Sequence, residues 1–176
     1  RARAAALVRH DWMGVSRVAD IGGGSGTAIA GVLAANPHLH GVLFDLPAVV
    51  TSADDVLDGA GVRDRCEVVG GDFFRDDLPP ADVYVLSQIL HDWDDERAGA
   101  ILANCRRSLS TGDRLLLVEM ALSDDADSEF ERLFDLHMLV LLGGKERTEA
   151  EWRSLLGGNG FEPTSVGGGL IEARPV

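Results

Sequence analysis

The stretch Val18-Ala-Asp-Ile-Gly-Gly-Gly-Ser-Gly-Thr27 constrains this chain more than any other. A short apolar run ends in an aspartate, glycines crowd the next five positions, and a helix-compatible run extends to Ala35. That order reads as strand, tight turn and helix start. Glycine meets two needs at such a turn: the backbone takes angles other residues avoid, and a ligand can approach the main chain closely. The helix behind it offers free N–H groups and a positive dipole end to a carboxylate or phosphate. The stretch points to a nucleotide-like ligand, with a purely structural strand–helix turn as the plainer reading.

Along the chain, helix-favouring residues over 2–8 precede the first strand at 17–21, and the helix after the turn stops at Asn36-Pro37, because proline disfavours a helical residue before it. Further apolar strands are predicted at 41–45, 66–69, 82–86 and 114–118. Leu46-Pro47 is read as opening a helix, with proline at a tolerated first-turn position. Asp94-Asp95-Glu96 caps a helix over 97–109. A long helix is expected over 129–142, and Thr148-Glu-Ala-Glu151 has the form of a capping box opening the next. Residues 161–166 and 170–174, around three glycines, read as a β-hairpin. Strands apolar enough to be buried on both faces, alternating with helices, indicate one α/β domain across 1–176: a doubly wound, mostly parallel seven-stranded sheet closed by a C-terminal antiparallel hairpin.

Length and charge narrow the partners. A chain of 176 residues suits one sizeable core. A formal charge of −13 argues against nucleic acid or an anionic membrane, both of which select basic surfaces. The two cysteines, Cys66 and Cys105, lack a metal-ligand spacing and fit a reducing cytoplasm, and no metal site is expected. Arginine supplies nearly all the basic residues, with Lys145 the only lysine, a pattern that fits a GC-rich bacterial coding sequence. The chain opens inside a helix-like run without methionine, so a preceding N-terminal region is expected.

The glycine spacing separates nucleotides. A dinucleotide fingerprint wants G-x-G-x-x-G or G-x-G-x-x-A, and neither reading frame supplies it. What fits is G-x-G-x-G at Gly22, Gly24 and Gly26 behind Asp20, which resembles the first motif of class I methyltransferases. Asp45, 23 residues past Gly22, lies where a carboxylate would accept from both ribose hydroxyls, or would cap a helix before Pro47. Asp72-Phe73-Phe74 combines an acceptor with two aromatic faces, which suits an adenine; one of the phenylalanines is expected in the core.

Asp20-Ile-Gly-Gly-Gly-Ser-Gly26, Phe44-Asp-Leu-Pro47, Gly71-Asp-Phe-Phe74, Ile89-Leu-His-Asp-Trp93, Glu119 and Gly143-Gly-Lys-Glu-Arg-Thr148 occur in that order. Together they resemble the catalytic domain of the plant-type small-molecule O-methyltransferases and their bacterial natural-product tailoring relatives. The resemblance implies S-adenosylmethionine as methyl donor and S-adenosylhomocysteine as product. It places the amino-acid end at Gly22 and Gly24, the ribose at Asp45 and the adenine at Asp72 and Phe73. Asp20, Leu46 and Ser87 count among the cofactor-binding positions, Ser87 standing where plant members carry a cofactor-contacting lysine. His91 matches the general base, flanked by Glu119 and Glu146. Asp92, Met138 and Leu142 fall toward the acceptor, a small aromatic or polyketide-like molecule with a phenolic or enolic hydroxyl. An N-terminal dimerisation domain in the family implies a homodimer outside this chain. Two other functions stay open: a relative that keeps the cofactor but hydroxylates or decarboxylates, and a non-catalytic ligand-binding domain. An NAD dehydrogenase is disfavoured by the glycine spacing.

Overall fold

The structure, a computed structural model, describes residues 4–122 and 144–176. Five parallel-strand segments are short apolar runs, each set by its own sequence: β1 (Arg17–Ile21), β2 (His40–Asp45), β3 (Cys66–Gly70), β4 (Val83–Ser87) and β5 (Arg114–Val118). Helices α1 (Ala4–Arg9), α2 (Thr27–Ala35), α3 (Ala53–Gly59) and α4 (Asp95–Ser108) lie before or between them. A two-residue strand β6 (Ala121–Leu122) follows β5, and β7 (Arg147–Thr148) leads into α5 (Glu149–Gly158). The chain closes with β8 (Phe161–Gly167) and β9 (Leu170–Pro175).

Seven strands form one sheet in the order β3-β2-β1-β4-β5-β9-β8, with β9 antiparallel to both its neighbours and the other pairs parallel. The expected doubly wound sheet is present, and the hairpin inserts its second strand beside β5. Period-two alternation sends side chains to two separate cores. Ala19, Ile21, Tyr84, Leu86, Leu115 and Leu117 pack under α4 and α5. Val18, Leu43, Val83, Val85, Leu116 and Val118 pack under α1, α2 and α3. Both faces are covered, so the central strands carry almost no polar side chains.

Helix ends follow their local chemistry. The Asp94 carboxylate accepts from the Arg97 amide at 2.8 Å and starts α4. Thr148 and Glu151 form the reciprocal capping box of α5. Leu46-Pro47, in contrast, does not open a helix. The Asp45 side chain takes the Leu46 amide at 2.7 Å, and the amides of Val49 and Val50 turn back onto the Leu46 carbonyl. A turn and a 3-10 segment (Val50–Ser52) therefore intervene, and α3 begins only where Asp54 and Asp55 supply acids to its first turn. The pair β6–β7 was not legible beforehand; it joins Ala121 to Arg147 and Leu122 to Thr148. The helix expected over 129–142, with Met138 and Leu142, lies outside the described residues. Among the described residues no helix is long and apolar enough to cross a membrane.

Leu117 is wholly buried in the middle of the sheet. Leu117→Ala should cost about 2–5 kcal/mol of stability, read by denaturant unfolding, because the strands on either side cannot collapse into the void.

Candidate active site

The strand order reverses between β1 and β4, where chains leaving neighbouring strands diverge and open a crevice at their carboxyl ends. The glycine turn leaves β1 there, and the His91 turn leaves β4 beside it. Gly22, Gly24 and Gly26 all take left-handed angles (φ of 73°, 62° and 84°). At Gly22 a side chain is also excluded by contact: a Cβ would lie 2.6 Å from the Ile89 Cδ1 atom and 3.4 Å from the Phe73 ring. A Cβ on Gly24 would meet nothing within 4 Å, so the turn is open to a ligand at that point. From β2, the Asp45 carboxylate accepts from the Gly24 amide at 2.8 Å as well as from Leu46. Asp45 thus braces the turn and caps no helix, and a carboxylate has further lone pairs for ribose hydroxyls. Leu46 is half exposed beside it.

Asp20 occupies a different place. It alternates with Ala19 and Ile21, so its side chain is directed under α2, where it is 1 % exposed. Neither of its oxygens has a hydrogen-bond partner at bonding geometry. Burial raises its pKa to about 7; the Ile29 amide offsets part of this and the nearby Asp45 charge adds to it.

Past β3, the Asp72 carboxylate accepts from the Phe74 amide at 2.9 Å, and its carbonyl accepts from Arg75 and Asp76. Phe73 is the aromatic that packs on the core, with its edge at Gly22. Phe74 is the exposed one and stands edge-on to Trp93, with ring centroids 5.0 Å apart. A hollow of about 350 Å³ opens between Asp72, Phe74, Arg75, Trp93 and Arg97. The arrangement gives an adenine-sized ring both aromatic surface and acceptors.

The His91 turn is built from three segments. Gln88 adopts φ 59°, a left-handed angle that costs a non-glycine residue about 1–3 kcal/mol, and this redirects the chain out of β4. The amides of Ile89 and Leu90 then fall on one Glu119 oxygen at 3.0 and 2.9 Å, while His91 Nδ1 meets the other at 2.7 Å. Glu119, just past β5, is wholly buried and accepts all three. Ser87, at the end of β4, pairs in register with Val118 and so sets this approach. With Nδ1 donating to Glu119, Nε2 is the nitrogen that accepts a proton. Asp92 Oδ1 lies 3.2 Å from Nε2, so Asp92 flanks the reactive nitrogen. Glu146 is buried nearby and adds its charge. Burial pulls the His91 pKa down, but the Glu119 bond and the charges of Glu119, Asp92 and Glu146 outweigh it, and the net direction is up. Desolvation raises the Asp92 pKa against the opposing pull of His91.

Gln88 carried no sequence signal, because a left-handed glutamine has no motif; Arg147 lies inside the Gly143–Thr148 motif, but its burial against the same turn was not legible there. Met138 and Leu142 lie outside the described residues. Among those described, no group of three or more histidine, cysteine, aspartate or glutamate side chains could hold a metal ion.

Known proteins share the sequence pattern and the fold of this chain. The family model of the O-methyltransferase domain matches residues 2–162. A phenazine O-methyltransferase of Lysobacter antibioticus is 44% identical over 172 residues, covering 95% of this chain and 50% of the relative. Aclacinomycin 10-hydroxylase of Streptomyces purpurascens is 41% identical over 154 residues, covering 86% and 41% respectively. The crystal structure of an O-methyltransferase from neocarzinostatin biosynthesis, in complex with S-adenosylmethionine and 2-hydroxy-5-methyl naphthoic acid, superposes with a TM-score of 0.86 at 34% identity, covering 97% of this chain and 52% of that one. The chain spans about half the length of the curated relatives it matches.

Glu119→Gln should lower the His91 titration midpoint, read by NMR of the ring protons, since burial is then opposed by the smaller pull of Asp92 and Glu146. In the wild type the raised value adds stability below the free-imidazole pKa of about 6.5, and that increment is lost as pH climbs through the folded midpoint. The variant should lose this dependence.

Proposed function

This chain belongs to the O-methyltransferase family, and on that premise we propose that it transfers a methyl group from S-adenosylmethionine to a phenolic or enolic hydroxyl of a small aromatic or polyketide-like acceptor, with His91 as general base. The observation that carries the reading is the 2.7 Å contact of His91 Nδ1 with buried Glu119, in a turn whose Ile89 side chain abuts the glycine turn at Gly22.

The open turn at Gly24 and the Asp45 carboxylate fit the amino-acid and ribose parts of the cofactor, and Phe73 with Asp72 fit its adenine. When bound, S-adenosylmethionine supplies a methyl group already activated on a sulfonium. What remains for the chain is to hold the acceptor oxygen in line and to remove its proton. His91 Nε2 takes that proton. Glu119 keeps the tautomer that leaves Nε2 unprotonated, and with Asp92 it stabilises the imidazolium that forms. The raised pKa makes His91 a stronger base once neutral, so the rate should climb with pH through a midpoint above the ordinary histidine value. Asp20 lies buried under the turn on the α2 side of the sheet. A bacterial natural-product pathway, a cytoplasmic setting and a homodimer formed outside the described residues belong to the same reading.

A hydroxylase in the same family supports a second reading, in which the cofactor is kept and the acceptor gains oxygen. Product mass separates the two: one added CH2 against one added oxygen. A purely binding role fits less well, because it gives no use to a histidine whose Nδ1 is held by a buried carboxylate with a second carboxylate at Nε2.

His91→Ala should slow methyl transfer by about 10²–10⁴-fold while cofactor affinity by calorimetry stays close to wild type; unchanged turnover would remove the general base. Asp45→Ala should abolish cofactor binding with the fold retained by circular dichroism, and undiminished affinity would remove the ribose assignment.

A further inference from the structure

Arg147 is a wholly buried cation, and every polar contact it makes leads back to the segments that carry His91 and its acids. One terminal nitrogen donates to the Leu90 carbonyl at 3.0 Å and the Lys145 carbonyl at 3.1 Å, and the other to the Trp93 carbonyl at 2.9 Å. Its Nε donates to Asp95 at 2.9 Å, at the start of α4. Leu90 and Trp93 bracket His91 and Asp92, so one planar group fixes both ends of the catalytic turn. The guanidinium also lies 5.1 Å from the centre of the Trp152 ring, and Trp152 Nε1 donates to the carbonyl of Met120, next to Glu119. Arg147 itself pairs with Ala121 across β6–β7. Three segments, bearing His91, Glu119 and Glu146, therefore converge around Arg147, the Glu119 segment by way of Trp152 and the β6–β7 pairing.

Burying a guanidinium is expensive, and its one carboxylate partner among the described residues, Asp95, keeps more than half of its side chain in water. An apolar residue of equal volume would fill the space without that cost. What it could not do is hold two carbonyls at a fixed separation and orientation. The main chain beside Arg147 is drawn equally close: the Lys145 amide donates to the His91 carbonyl at 2.9 Å, and a side chain at Gly144 would run into that same carbonyl and into Asp92.

We propose that Arg147 is a positioning residue for the methyl transfer, holding the His91 turn against the 144–148 segment so that Glu146 and Asp92 keep their places around the imidazole. The inference rests on the reading of His91 as general base. Arg147 acts on the turn through the main chain, without touching the ring. Among the described residues the charged groups that bear on His91 are Glu119 from the end of β5, Asp92 from its own turn and Glu146 from the segment before β7. Loosening the clamp lets two of these three drift, which weakens their hold on the imidazolium.

The test is Arg147→Lys in the intact protein, which keeps the charge and loses the fork, with His91 titrated by NMR and methyl transfer assayed in parallel. The His91 midpoint should fall toward the free-imidazole value and kcat should drop by up to roughly 10²-fold, the scale of a misplacement of about 1 Å, while the KM for S-adenosylmethionine changes little. A merely structural arginine would lower the unfolding midpoint and leave the His91 titration and kcat of the folded protein unchanged; that result overturns the proposal. If the lysine variant does not fold, Asp95→Asn loosens the same guanidinium from outside. A smaller shift in the same direction supports the proposal, and no shift in either quantity overturns it. Failure of the wild type to transfer methyl would reject the functional reading alone, because the His91 titration still reports whether Arg147 holds the turn.

Discussion

A single buried carboxylate organises the site. Glu119 is fully excluded from water, where an unsatisfied charge costs several kcal/mol, and it is satisfied only because three donors converge on it. Two of those donors are main-chain amides, so the cost of burying the charge is offset only when the turn after β4 lies against the end of β5. The third is the imidazole itself. The same interactions that make the carboxylate tolerable therefore set the position, tautomer and basicity of His91. Structure and chemistry share one cause here.

Three carboxylates at the strand ends show how environment divides roles among identical groups. Asp45 is half exposed and takes two amide donors, one of them in the glycine turn. Asp20, two residues ahead of that turn, is buried without such donors and is pushed up to about 7. Asp72 spends its side chain on the loop that carries Phe73 and Phe74. One braces the glycine turn, one lies buried beneath it, and one shapes the loop that carries the two phenylalanines.

The His91 turn is held from two sides by groups of opposite sign. Glu119 collects its N–H groups, and Arg147 collects its carbonyls at Leu90 and Trp93. Short irregular backbone rarely persists when buried unless its polar groups are paired. Here the pairing comes from charged side chains on other segments, which makes the turn rigid without helix or sheet. The left-handed strain at Gln88 is sustained by that same network.

Much of this molecule could be read from its residues in order. Apolar runs of five, glycine spacing, the Thr148–Glu151 box and the hairpin glycines are local patterns, and the structure has elements at each of those places. His91, Glu119 and Glu146 stood out by resemblance, yet their relation to one another lay beyond any window of sequence. The Asp92 carboxylate at Nε2, the downward orientation of Asp20, the arginine behind the turn and the delayed start of α3 came from elsewhere. The delayed start of α3 is set by short-range hydrogen bonds around Leu46, whereas the bonds that hold the His91 turn join residues 28 to 57 positions apart. Backbone preference and side-chain periodicity are properties of a short stretch, so the chain alone determined its elements and its glycine turn. Burial, pKa and the pairing of buried charge are properties of a neighbourhood, and only folding brought those neighbours together.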